Sequence, residues 1–292
     1  MPLVHENYIA NLLVALNHPA PKKPQLSPHQ CWEFKYGIKV QHAHEEDTSA
    51  PLDPSGTRCV QQIVGALLWI GQAVNNKLLV ALSAIGSQQA SATESTNDAI
   101  HQLLDYCATY PDDGILYRSS NMILAAHSDA GFANETKSRS RAGAHIFLSE
   151  NDSIPRWNEP LLTIAQIMKY VVSSAAEAEM TALFLTAKEM VPLQNTLTEM
   201  GWKKHPIPLQ SDNSTAVGMK NSTMIPKKSR SWDLRLNWLR CREAQGQFWT
   251  YWDKGPNNDG DYSTKHHPDI YHDTKRSMGF AGCVFYPNIA CI

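Results

Sequence analysis

The chain has 292 residues, of which 42% are hydrophobic and 18% charged, the composition of an ordinary soluble protein with room for one large or two modest cores. A formal net charge of −2 excludes a globally basic nucleic-acid binder, so any such surface must be local. Six cysteines (Cys31, Cys59, Cys107, Cys241, Cys283, Cys291) are spread without a Cys-x-x-Cys pair, which argues against zinc fingers and disulfide scaffolds and for thiols in a reducing compartment.

The opening Met1-Pro-Leu-Val-His-Glu-Asn lacks the basic and apolar regions of a signal peptide. The longest apolar run, about Ile63 to Ile70, is too short to span a bilayer, so an intracellular chain with no membrane partner is expected. Residues 8–16 alternate at helical spacing. Residues 18–56 are rich in Pro, Lys, His and acids and read as a linker or extended strap that buries little. Within them His42-Ala-His44-Glu-Glu-Asp47 has the residue types of a metal site, but a solvated polar segment is the better reading, since nothing there would hold ligand geometry. Residues 1–56 are therefore expected as a helix plus linker.

Residues 57–113 read as a helical segment. Val60, Ile63, Val64, Leu67, Leu68 and Gly71 follow the three-and-four spacing of a buried face. A second helix is expected over 78–88. A third, over 93–110, has Ile100, Leu103, Leu104 and Cys107 on one face, and Pro111-Asp-Asp-Gly114 stops it.

From Gly114 to about residue 277 strands alternate with helices. Strands are expected at 115–117, 122–126, 142–148 and 162–172, with a basic hairpin-like turn at Lys137-Ser-Arg-Ser-Arg141. A long helix from Glu177 to Met200 ends at Gly201. A strand at 207–211, short helix at 214–219, amphipathic helix at 231–244 and strand at 248–252 follow. The tail, 278–292, has no assignment.

Four acids occupy junctions of this pattern. Asp129 stops the apolar run from Met122, with Ala130-Gly131 as its turn. Glu179 opens the long helix, Asp212 follows the strand 207–211, and Asp261 comes after the strand 248–252. Each alone reads as a turn or cap residue. Carboxylates at adjacent strand ends and on a facing helix converge on one sheet edge, where close packing is tolerable only with cations between them. Oxygen-only ligands suit magnesium or manganese rather than zinc.

The blocks His-Ser-Asp129-Ala-Gly-Phe, Ser-Ser-Ala-Ala-Glu-Ala-Glu179, Ser-Asp212-Asn-Ser-Thr-Ala and Gly-Asp261-Tyr-Ser-Thr-Lys265 resemble, in order, the ribonuclease H domain of copia-type retrotransposon polyproteins. The similarity covers roughly 124–276, and a weaker match from about Thr57 resembles the segment joining polymerase to ribonuclease H. The resemblance implies an α/β, ribonuclease H-like mixed five-stranded sheet with flanking helices, preceded by a small helical segment. It implies cleavage of the RNA strand of an RNA–DNA hybrid by two Mg2+ ions, or Mn2+, with the rest of the polyprotein, its polymerase domain included, as partner. The implied location is cytoplasmic, in a virus-like particle for an active element, or nuclear. By the same resemblance Asp129 bridges both ions, Glu179 and Asp212 bind the nucleophile side, and Asp261 completes the product side.

Glu177 competes with Glu179, but helix residues two apart point about 200° apart, so one alone faces the metals. Register with the family block selects Glu179 and leaves Glu177 toward solvent or the turn at Arg139 and Arg141. Lys227, Lys228, Arg230 and Arg235, with Arg240 and Arg242, form a local basic stretch with Trp232 and Trp238 interleaved. It reads equally as a phosphate-binding helix or a solvated face. His266, His267 and His272 read as a polar helix surface, or as helpers in metal or product release. The polymerase motif Tyr-x-Asp-Asp is absent, since Pro111 disqualifies Tyr110-Pro-Asp-Asp. That absence, with Met180 and Trp232 departing from the family pattern, leaves an alternative: an inactive remnant keeping the fold to bind nucleic acid or protein.

Overall fold

The computed structural model describes residues 2–3, 7–31, 47–152, 154–214, 217–218 and 230–280. His42, His44, Lys227, Lys228 and the tail beyond residue 280 lie outside them, as does part of the short helix expected at 214–219.

Two hydrophobic cores organise the chain. The first is helical: α1 (Tyr8–Ala15), α2 (Pro54–Ala73), α3 (Leu79–Gly86) and α4 (Glu94–Thr109). α2 starts three residues before the expected start at residue 57 because Asp53 caps it, accepting from the Gly56 N–H at 2.7 Å with Pro54 in the first turn. Thr93 and Thr96 form a reciprocal capping box on α4. Leu67, Leu78, Leu103 and Tyr106 are fully buried between these helices. Leu68, expected on the buried face, is 43% exposed, because a stripe of this width leaves its edge residue at the rim. α1 belongs to the same core: Ile9 is buried and the Tyr8 hydroxyl donates to the Ala66 carbonyl at 3.0 Å.

The expectation that the Pro-rich stretch buries little is corrected for residues 18–31. His18 lies 2.7 Å from Asp105, the Gln25 N–H donates to Thr109, and Ser27 and His29 are buried. Proline fixes this segment extended at low entropic cost, and side-chain hydrogen bonds to α4 replace a helix's own ladder.

The second core lies under a five-stranded sheet ordered β5 (Pro160–Ile167), β4 (Arg139–Ser149), β3 (Ile123–Glu135), β6 (Ile207–Ser211), β7 (Phe248–Trp252). β3, β4 and β5 are antiparallel, while β6 runs parallel to β3 and β7 parallel to β6. Three antiparallel strands followed by parallel strands, each reached through a helix, is the ribonuclease H-like order. A two-residue ladder, β1 (Pro2–Leu3) on β2 (Ile115–Leu116), stands apart from this sheet.

The crossover helix α5 (Ala175–Glu199) lies on the sheet. Ala126 and Ala144 on the strands, with Ala178, Ala182 and Ala187 on α5, are fully buried. Small residues on both surfaces let helix and sheet approach closely, while Met180, Leu183 and Met190 fill the space beside them. α6 (Arg230–Ala244) packs on α5, with Trp238 edge-on to Phe184 at 5.2 Å. α7 (Asp269–Phe280) closes the described chain.

Candidate metal centre

Asp129 does not end its strand. β3 runs six residues further to Glu135, pairing Asp129 with Gly143 and Gly131 with Arg141 before an irregularity in register. Ala130-Gly131 mimics a turn in sequence, but the neighbouring β4 supplies a ladder for both residues and keeps them extended. Asp129 thus sits mid-strand and only 3% exposed.

The turn that carries Asp261 (Asp259–Ser263, a short 3-10 helix) lies directly across β3 and β4. Two glycines permit it. A Cβ on Gly143 would stand 2.5 Å from the Gly260 carbonyl oxygen, and one on Gly260 would stand 2.9 Å from the Asp129 nitrogen. Asn258 pins the turn, donating to the Ser128 carbonyl at 2.8 Å and accepting from Gly260 at 3.0 Å. The Thr264 hydroxyl donates to Asp129 Oδ2.

Glu179, not Glu177, is the helix carboxylate that joins the aspartates. Asp129, Glu179 and Asp212 each place a ligand oxygen within 4.8 Å of the others, and they are the one such group of His, Cys, Asp or Glu among the described residues. The Ala130 N–H donates to Glu179 Oε1 at 3.3 Å, while Glu179 Oε2 is buried without a hydrogen-bond partner. Glu177 points neither to solvent nor to the basic turn. It is 2% exposed and caps its own helix, accepting from the Ser173 N–H and hydroxyl at 2.8 Å each. Asp261 stands outside the trio, its carboxylate paired with Lys265 and 3.5 Å from His267.

Burial raises the Asp129 carboxyl to about 7, with Asp261 and Asp212 adding repulsion and the Thr264 hydrogen bond and Lys265 opposing it. Burial also pushes Glu179 well above the carboxylate range, reinforced by Asp129 and Asp212. Asp212, more open, is raised chiefly by burial and by Asp261, against the pull of Lys265. Three acids that resist ionising together, one oxygen without a partner, and an all-oxygen donor set fit a divalent cation of the hard type.

The basic residues separate. Arg230 begins α6, whereas Arg235 turns inward, donating to the Thr181 hydroxyl at 2.9 Å with its guanidinium 4.3 Å from the Tyr170 ring. The expected polar surface at His266, His267 and His272 is corrected: all three are buried. His29 from the strap packs against the rings of His266 and His272, at 4.7 and 5.0 Å. Sequence reasoning assigned no role to Gly143, Asn258, Gly260 or Thr264. Gly260 and Thr264 flank Asp261 within its block, and that adjacency was the available signal; the contact with Gly143 had none.

No family model matches the chain. It is 23% identical over 177 residues to the retrovirus-related Pol polyprotein from transposon TNT 1-94 of Nicotiana tabacum, a match covering 61% of this chain and 13% of that protein. It is 26% identical over 187 residues to the corresponding polyprotein from transposon RE2 of Arabidopsis thaliana, covering 63% of this chain and 12% of the relative. The match thus spans only 12–13% of the length of these curated relatives. Among solved structures, LC11-RNase H1, isolated from compost, aligns with 49% of this chain and 93% of its own at 12% identity and a TM-score of 0.38. The foamy viral protease-reverse transcriptase in complex with dsDNA aligns with 73% of this chain and 40% of its own at 11% identity and a TM-score of 0.41. Strand order, not these superpositions, carries the fold. The chain is similar in sequence to the retrovirus-related Pol polyproteins of these two plant transposons, and its acidic trio gathers at a ribonuclease H-like sheet.

Proposed function

We propose that this chain hydrolyses the RNA strand of an RNA–DNA hybrid, as the ribonuclease H part of a transposon polyprotein whose polymerase centre lies in another segment. The observation that carries the reading is the trio Asp129, Glu179 and Asp212, delivered by three different elements of a ribonuclease H-like sheet with oxygens within 4.8 Å. Homology to Pol polyproteins supports the substrate class. Two divalent ions, magnesium with manganese as substitute, would supply an activated water and stabilise the leaving 3′ oxygen.

The residues divide the remaining work. Asp129, held rigid by the strand ladder and by Thr264, is the central ligand. Glu179 keeps Oε1 on the Ala130 N–H and leaves Oε2 for a cation. Asp212, half-exposed after β6, lies where substrate and water enter. Lys265 and His267 hold Asp261 beside the trio as the fourth ligand. Lys227, Lys228 and Arg230 are proposed as phosphate contacts, with Arg235 as the residue anchoring the helix that Arg230 begins to α5.

The test is a labelled hybrid incubated with the purified chain and Mg2+ or Mn2+. Metal-dependent cutting of the RNA strand is expected, lost in Asp129→Asn. Hybrid binding without turnover by the wild-type chain at every metal concentration would refute the enzyme and leave a binding module.

A further inference from the structure

Asp129, Glu179 and Asp212 are carried by β3, α5 and the end of β6, but Asp261 rides on a loop whose place depends on its anchors. At the front of that loop Asn258 holds the Ser128 carbonyl. At its back the anchor comes from β3 again, five residues past Asp129: Asn134 Nδ2 donates to the Thr264 carbonyl at 2.6 Å. The next residue, Glu135, accepts from Arg141 at 2.7 Å and lies 3.3 Å from His266 Nε2. One strand therefore grips the loop on both sides of Asp261.

The backbone of β3 is bent to deliver that grip. Gly131 pairs with Arg141 and Glu135 with Arg139, so residues 132–134 oppose Ser140 alone. An insertion of this kind breaks the strand's alternation and re-aims a side chain. Ala133 takes a left-handed conformation, φ 52°, which costs a residue with a Cβ about 1–2 kcal/mol. The Ser140 hydroxyl holds it there, accepting from the Ala133 N–H at 3.0 Å. Asn134 is turned inward to 1% exposure, and its carboxamide lies in the space that a Cβ on Gly131 would fill.

We infer that Asn134 is a positioning residue for Asp261: through the Thr264 carbonyl it sets the spacing of Asp261 from Asp129, and with it the affinity for the second of two divalent ions. The inference rests on the two-ion reading above and deepens it. The trio's oxygens gather without Asp261, so a first ion needs nothing from the loop. A second ion shared by Asp129 and Asp261 needs both carboxylates at a fixed separation. Thr264 links them, its hydroxyl donating to Asp129 Oδ2 while its carbonyl accepts from Asn134. Removing a group that orients a ligand without touching the metal typically weakens the metal by about ten- to hundredfold.

Two variants reach the same contact from opposite sides. Asn134→Leu removes the donor at nearly constant volume. Gly131→Ala leaves Asn134 in the chain and pushes its carboxamide aside with one methyl. Mn2+ binding to the full chain, counted by electron paramagnetic resonance without substrate, should show two ions in the wild type. Each variant should keep the first ion and bind the second about ten- to hundredfold more weakly. The double variant should be no worse than either, because both act on one contact. Hybrid cleavage should lose kcat at low Mn2+ with KM for the hybrid unchanged, and regain it as Mn2+ rises.

A merely structural role would weaken both ions together with stability in urea. That result would overturn the proposal, as would a single ion in the wild type or second-ion binding unchanged in both folded variants. An Asn134-dependent second ion in a chain that never cuts would refute the ribonuclease and keep the positioning role. Metal-dependent cleavage with second-ion binding unaltered in the variants would do the reverse.

Discussion

Replacing Asp129 with Asn should stabilise the metal-free protein while abolishing its chemistry, and the size of the gain follows from the site. The Asp129 carboxyl titrates near 7 in the folded chain against an ordinary 3.8, because burial and then Asp261 and Asp212 disfavour its charge. A carboxyl raised on folding binds more protons in the native state, so its contribution to stability falls as pH rises from 3.8 to 7. At about 1.4 kcal/mol per pH unit the full penalty above that window is about 4 kcal/mol. Neighbouring acids share the same repulsion, so the Asn variant should recover about 2–4 kcal/mol at pH 8 and almost nothing near pH 4. Urea unfolding in EDTA at both pH values measures the difference. Magnesium should then stabilise the wild type, by about 2.7 kcal/mol at a hundredfold excess over its dissociation constant, and not the variant. An Asn variant equally or less stable than wild type at pH 8 would refute the electrostatic reading of the cluster.

Glu179→Gln should lower hybrid cleavage by two to three orders of magnitude, about 3–4 kcal/mol of transition-state stabilisation, and leave thermal stability intact or raised. Glu177→Gln should do the opposite, weakening the α5 cap by about 1 kcal/mol in urea unfolding with cleavage retained. Gly143→Ala forces a methyl onto the Gly260 carbonyl oxygen, so a loss of about 1–3 kcal/mol in urea unfolding is expected. Glu135 is buried, yet its hydrogen bond with His266 and the Arg141 guanidinium outweigh that burial and hold the carboxyl down to about 2 against an ordinary 4.5. Its stabilisation is present above pH 4.5 and lost as pH falls toward 2. Arg141→Met should cost about 3–5 kcal/mol near neutral pH and shrink that acid sensitivity, read by acid titration of the unfolding free energy.

What could be read in the chain beforehand was what repeats or abuts. The stripe of Ile100, Leu103 and Leu104 marks a buried helix face, and Asp129, Asp212 and Asp261 abut apolar runs that become strands or the turn after one. What escaped depends on partners distant in sequence. Ala130-Gly131 stays extended because Ala142 and Arg141 pair with it, information that lies on another strand. Glu177 and Glu179 separate by helical phase, which register supplied, yet the Ser173 hydrogen bonds that occupy Glu177 come from the approach to the helix. The histidines 266, 267 and 272 are polar letters in a polar stretch, yet the strap's His29 packs on His266 and His272, and His267 stacks on Tyr262 and Tyr271.

That strap bears on how the polypeptide can be divided. His29 reaches the rings of His266 and His272, more than two hundred positions away in the chain, while the Arg276 guanidinium covers Tyr110 at 3.4 Å. A cut placed before Gly114, where composition suggests a module boundary, would strip the sheet of the lid over its last helix and leave imidazoles facing water. Separating residues 18–31 from the sheet would therefore leave the helix Asp269–Phe280 without the ring contact of His29 on His272 that seats it.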